Sequence, residues 1–210
     1  HVPALGSYLR AVDAGQKLDI PRGIRTAKLF LQNGAAEQAD SFVKGVKRRA
    51  NQLGAPRKDV LALRTLEAKV ARELGQDDKA AAILKEVVKE DHRNAAARIE
   101  LGEYLEKQKD YAGATLEFEF AASTSSSKED AEMQRLAVLK HGQMLVRIEE
   151  FDKALTLLRR AYELKKTESL SRFIQRVEEA TERKRMREES IDRTIDAPPP
   201  KTEDELAPLT

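Results

Sequence analysis

NAAARIELGEYLEKQKDYAGATLEFEFAAS, residues Asn94 to Ser123, carries the spacing that decides the fold. It sets Leu101-Gly102, Leu105, Asp110-Tyr111, Ala114, Phe118 and Ala121 at intervals that return elsewhere in the chain. Going back 34 residues, the matching positions hold Ala68, Ala71, Ala80, Leu84 and Val87. Going forward 40 residues, they hold Gly142, Leu145, Phe151, Ala154, Leu158 and Ala161. A further step of 41 residues back from the second unit gives Ala27, Phe30, Gly34, Ala39, Val43 and Val46. The unequal steps have a local cause. Six extra residues fall in the Ser/Thr run from Ser123 to Lys128, and seven fall around Gly54-Ala55-Pro56, both loop signals.

This pattern resembles the tetratricopeptide repeat, in which Leu-Gly and a large residue mark a first helix and Ala, an aromatic and Ala mark a second. The leading Trp and terminal Pro of that repeat are not present here. The resemblance implies an all-α, right-handed α-solenoid of antiparallel helical hairpins. Neither helix of a hairpin can bury its apolar stripe alone, so stacking must supply the core. Small residues such as Ala80, Ala114 and Ala154 would admit close helix approach, while Leu84, Phe118 and Leu158 would fill the space between hairpins. Asn33-Gly34 and Gly75 stand where a first helix must end and a left-handed backbone is wanted.

The expected organisation is four hairpins over 20–53, 61–94, 95–128 and 135–168. Residues 1–15 match a second helix whose first helix is missing, because Ala4, Tyr8 and Ala11 align with Ala39, Val43 and Val46. Residues 169–193 read as a capping helix that turns charged after Ala180, and 194–210 as a Pro-rich, acidic, disordered tail. A start at His1 rather than Met suggests a fragment of a larger protein.

Composition agrees with the helical class. Apolar residues make up 40%, charged residues 35% and aromatics 5% of the 210 residues, with Ala, Leu, Glu, Lys and Arg prominent. Lys plus Arg number 38 against 36 Asp plus Glu, a net charge of +2 that argues against a nucleic-acid binder. Between Arg176 and Arg193, six basic residues interleave with six acidic ones, which is the pattern of a solvated helix rather than a phosphate-binding one. No apolar run is long enough to insert in a membrane, and no cysteine is present to form a disulfide or thiolate site. The compartment stays undetermined, with a slight lean to the cell envelope.

No catalytic residue, cofactor or metal site is expected. His1, His92 and His141 have no partner at ligand spacing, and no phosphate loop, zinc spacing or nucleophile elbow occurs. Ser126 followed by Glu129 reads as a capping box rather than a modification site.

Function is expected on the concave face that first helices line in such arrays. By register that face includes Ile24, Lys28 and Leu31, then Thr65, Lys69 and Arg72, then Ile99, Glu103 and Glu106, then Leu139, Gln143 and Arg147. Lys28, Lys69, Arg72, Ile99, Glu103, Glu106, Gln143 and Arg147 are the expected partner-binding residues. Their alternating sign suits an extended peptide or a helix of mixed charge. A chaperone-tail clamp is excluded. Its places are filled by Ile24, Lys28, Leu66, Ala96 and Glu100, or in the other frame by Thr65, Lys69, Glu100, Leu136 and Lys140. Both sets lack the asparagines, and Glu100 would repel a carboxylate.

The reading is therefore a non-enzymatic scaffold or assembly module for a protein or peptide partner. The alternatives are a spacer that self-associates into a homo-oligomer through Phe173-Ile174-Val177, or a regulatory segment of a larger enzyme.

Overall fold

The computed structural model describes Ser7 and residues 19–123 and 128–195. The expected leading helix at 1–15, apart from Ser7, lies outside the described residues, as do Ser126 of the capping box and the tail from 196 onward. Among the described residues the chain is all helix. Four antiparallel hairpins pair α1 (Ile20–Gln32) with α2 (Ala36–Gln52), α3 (Arg57–Glu73) with α4 (Asp77–Glu90), α5 (Ala95–Lys107) with α6 (Tyr111–Ser123), and α7 (Lys128–Arg147) with α8 (Phe151–Leu164). A long helix, α9 (Glu168–Ile195), then packs on α8. The architecture is an all-α solenoid.

The repeat spacing sets the core. Ala39, Ala80, Ala114 and Ala154 on the second helices are all within 2% of complete burial. So are Val43, Leu84, Phe118 and Leu158 one turn later, and Val46, Val87, Ala121 and Ala161 beyond them. Position by position, the register finds the residues that leave water. Fully burying a Val, Leu or Phe side chain contributes about 1.5–3 kcal/mol, so the larger residues of this stripe are a major source of the array's cohesion.

The seam within each hairpin holds one small and one larger residue at matched positions. The pairs are Ala27 with Val43, Ala68 with Leu84, Gly102 with Phe118, and Gly142 with Leu158. In the third hairpin the fit requires a hydrogen, since a Cβ on Gly102 would stand 2.7 Å from Phe118 Cε1. In the fourth, a Cβ on Gly142 would lie 3.0 Å from Leu158 Cδ2, a closer approach than such atoms normally make. The widest second-helix residue, Phe118, faces a glycine, whereas Leu is accommodated opposite either Ala68 or Gly142.

All four hairpins turn in the same way. The third residue from each first helix's end accepts from the third residue beyond that end: Ala35 N–H to the Phe30 carbonyl, Gln76 to Ala71, Asp110 to Leu105 and Glu150 to Leu145, each at 2.9 Å. Between them a left-handed residue occupies the same register position, Gly34, Gly75, Lys109 and Glu149, with φ from 61° to 74°. This is the Schellman closure, which satisfies carbonyls that a helix end leaves open. At the third turn Asp110 Oδ1 then accepts from the Gly113 N–H at 2.9 Å, capping α6.

Packing between hairpins is asymmetric. Successive first helices α1, α3, α5 and α7 touch one another, whereas successive second helices make no comparable contact. A stack that is closer together on one side curves toward that side. The first helices therefore line the inner, concave face.

Candidate functional site on the concave face

The first helices bring a row of charged residues together on this inner face. Lys69 and Arg72 lie on α3, Glu100, Glu103 and Glu106 on α5, and Lys140 and Arg147 on α7. Helical spacing of three residues on α3 and α5, and of seven on α7, keeps each set on one face. Lys69 Nζ reaches Glu100 Oε1 at 3.2 Å, and Arg72 Nη1 lies 2.9 Å from Glu100 Oε2 and 2.5 Å from Glu103 Oε2. The other oxygen of Glu103 binds Lys140 Nζ at 2.6 Å, and Glu106 pairs with Arg147. The carboxylates of the α5 row are thus shared between basic groups of the helices before and after it.

Burial gives this ladder its electrostatic character. The side chains of Glu100, Glu103 and Glu106 are only 14%, 19% and 15% exposed. Burial alone would raise the Glu103 pKa, but the Lys140 hydrogen bond and the Arg72 charge outweigh it and hold the carboxyl below its ordinary value. Burial likewise works against charged Arg72, and Glu100 with Glu103 overcome it, so its pKa is raised. The ladder ties three successive hairpins together across the inner face.

The expected partner-binding residues divide into three groups. Lys69, Arg72, Glu103, Glu106 and Arg147 come together, but as partners of one another. Their alternating sign along the groove is internally neutralised rather than presented bare. Lys28 is exposed and, among the described residues, forms no ion pair; Gln143 is half-buried on α7. Ile99 and Thr65 need correction as groove-facing residues, being 3% and 8% exposed. Their shared position points into the contact between adjacent first helices, where Ile99 joins the core and Thr65 turns its hydroxyl to the Leu61 carbonyl at 2.9 Å. Ile24 and Leu139, at the same position, are half-buried against that core as well. Three apolar residues among the four at this register position were the signal that it belongs to the interior.

Other polar groups serve the fold. Arg98 is 7% exposed; its Nε donates to the His92 carbonyl at 2.8 Å, its Nη1 to Glu117 at 2.6 Å, and its guanidinium lies 4.4 Å from the Phe120 ring centre. A buried, doubly bonded arginine left no trace in the spacing pattern, because the repeat does not require one there. His141 is buried between hairpins, with Nε2 3.3 Å from Thr115 Oγ1 and its ring stacked on Phe118. Burial pushes its pKa down, and nearby Glu119 offsets this only in part. Among the described residues no group of three or more His, Asp or Glu is placed to hold a metal, and no helix is long and apolar enough to cross a membrane.

The face suggested for self-association is already occupied. Ile174 and Val177 are 9% and 3% exposed, buried in the core where α9 meets α8, and Phe173 packs against the same cluster. This face closes the end of the core.

No protein-family model matches the chain, and no curated protein matches it in sequence. Solved structures do match it in shape. BtubC (BKLC) from P. vanneervenii superposes with a TM-score of 0.64 at 17% identity, over 98% of this chain and 96% of that one. YrrB, described as a TPR protein with an unusual peptide-binding site, superposes with a TM-score of 0.52 at 17% identity, over 83% of this chain and 82% of its own. With the four-hairpin register and its matched turns, these likenesses establish that the chain has a tetratricopeptide-like helical repeat fold.

Proposed function

We propose that this chain is a non-enzymatic protein-interaction scaffold that holds a peptide or a helix of its partner along the concave face. The observation that carries the reading is the alignment of α3, α5 and α7, which sets polar, half-exposed side chains in one continuous row. Lys28, Lys69, Arg72, Glu103, Glu106, Gln143 and Arg147 are the proposed contacts. Groups such as Lys69 and Arg147, whose side chains are 40% and 57% exposed, can exchange an internal partner for an external one. The described peptide-binding site of YrrB on a similar fold supports the same reading. An extended or helical ligand laid across several repeats would take a few charge-assisted bonds from each, which favours specificity over contact area.

The test is a peptide-display selection against the whole chain, followed by affinity measurement on the enriched sequences. Lys69→Met with Arg72→Met keeps most of each aliphatic stem and removes the charge. This variant is expected to weaken binding at least tenfold, about 1.4 kcal/mol. Leu116→Ser with Phe120→Ser, on the exposed outer side of α6, should leave affinity unchanged. Loss of binding in the outer variant alone would sink the concave-face reading.

A further inference from the structure

The chain's charge is distributed in blocks. Residues 53–195 hold 28 basic and 28 acidic side chains and are neutral. Residues 1–19 hold two of each. The imbalance lies at two places. The α1–α2 hairpin, 20–52, carries seven basic residues against two acidic ones, and the segment 196–210 carries four acidic residues against one basic.

Within the hairpin, α1 has Arg22, Arg25 and Lys28 and no acidic residue. Register places Arg25 in line with Leu66, Glu100 and Lys140, and Lys28 in line with Lys69, Glu103 and Gln143. These are the positions that build the inner ladder. The ladder, however, starts at α3, because α3 offers Leu66 and Lys69 to its neighbour and no carboxylate. Arg25 and Lys28 are therefore its unmatched first rung, exposed and without an ion-pair partner among the described residues. Every cation further along the same face, Lys69, Arg72, Lys140 and Arg147, has a glutamate.

We infer that Arg25 and Lys28 form a docking site for the chain's own acidic segment, Asp196 to Glu205, which supplies the missing carboxylates. This rests on the concave face being a binding surface and adds which segment occupies its first end. The match is one of charge and reach. Glu203, Asp204 and Glu205 are consecutive, so adjacent carboxylates can meet the two cations set three residues apart on one helical face. Glu203 to Glu205 stand eight to ten residues beyond Ile195, so their carboxylates reach up to roughly 26–36 Å from it when extended, and a first hairpin within that radius can receive them. The bound segment would occupy the end of the face, so an outside ligand must displace it there.

Zero-length carbodiimide coupling on the full chain tests this, because it joins a lysine amine to a carboxylate only when they are in contact. At low salt, peptide mapping by mass spectrometry should recover Lys28 linked to Glu203, Asp204 or Glu205. Lys69–Glu100 and Lys140–Glu103 links serve as internal standards. Arg25→Gln leaves the Lys28 amine in place and should cut the tail link several-fold. Glu203→Gln/Asp204→Asn/Glu205→Gln should abolish it without touching the standards. Salt at half molar should reduce the tail link on the order of tenfold and the half-buried standards far less, since exposed charges are screened within a few ångströms. Recovery of the two standards with no Lys28–tail link at low salt overturns the inference. So does a tail link that survives Arg25→Gln and half-molar salt unchanged. Neither result bears on the display selection, which reads an external ligand against Lys69 and Arg72.

Discussion

The first two hairpins and the last two solve one packing problem with glycine in different places. In α1–α2 and α3–α4 the turns carry Gly34 and Gly75 at φ 70° and 74°, and the seams carry Ala27 and Ala68. In α5–α6 and α7–α8 the same turn positions carry Lys109 and Glu149 at φ 63° and 61°, and the seams carry Gly102 and Gly142. The N-terminal pair spends its conformational freedom on the turn and packs methyl against a Val or Leu. The C-terminal pair accepts a strained turn and sets a glycine in close contact with a Phe or Leu. Since the backbone closure is identical in all four, the fold constrains the sum of these terms rather than the residue at either position. A repeat consensus read one column at a time misses that exchange.

The comparison can be broken most severely at Phe118, which is completely buried. Phe118→Ala is expected to cost about 3–5 kcal/mol in urea unfolding, with hydrogen exchange rising first in α5 and α6. Val43→Ala in the first hairpin should cost visibly less. Next comes Gly102→Ala, whose new methyl collides with the Phe118 ring and should cost about 1–3 kcal/mol. Adding Phe118→Leu rebuilds the Ala68–Leu84 arrangement and should restore part of that loss. A double-mutant cycle with no coupling between the two positions would show that the exchange of size across the seam is not the operative constraint.

At the turns the expected effects are smaller and opposite in sign. Lys109→Gly and Glu149→Gly should each stabilise by about 1 kcal/mol, and Gly75→Lys should destabilise by a similar amount. No atom lies within 4 Å of a Cβ built on Gly75, so backbone conformation alone decides the outcome there. Equal stability of the three variants and the parent would mean that the left-handed position carries no strain.

The ladder gives the last contrast, read by acid titration of stability. The Glu103 carboxyl sits below its ordinary value in the folded chain, so its contribution is complete above the unfolded carboxyl range. That contribution is lost as pH falls through the depressed folded value. Thermal midpoints should therefore drop further between pH 6 and pH 3 in the parent than in Glu103→Gln. The difference should be modest, because Arg72 keeps Glu100 as a second partner.

The fold was largely legible because the signal is periodic: Ala114, Phe118 and Ala121 return in three other units, and all twelve positions are buried. The turns were half legible. Gly34 and Gly75 announce a left-handed residue, whereas Lys109 and Glu149 adopt the same backbone with side chains that give no hint of it. The inner face was legible as a set of residues but not as an electrostatic state. Register put Lys69, Arg72, Glu103, Glu106 and Arg147 on one surface. It could not show that adjacent helices lie close enough for those charges to cancel, because the distance between helices depends on the seam residues and not on the charges. Glu100 and Lys140 entered the sequence reading only as occupants of clamp positions, although they complete the ladder. Ile99 shows the converse error, where an apolar residue assigned to the surface by position alone belongs to the interior.

The neutralised ladder also bears on how fast a partner can arrive. Charges that cancel within a few ångströms project little field into solvent, so the middle of the concave face neither attracts nor repels at a distance. A ligand meeting α3 to α7 would associate at the unassisted rate of roughly 10⁵–10⁷ M⁻¹s⁻¹, nearly independent of ionic strength. Discrimination there falls to the dissociation step, after internal pairs have been exchanged. Arg25 and Lys28 are the inner-face cations without a glutamate among the described residues, so with the acidic segment docked on them this end is screened as well. Ionic strength then acts on release of the segment rather than on the encounter.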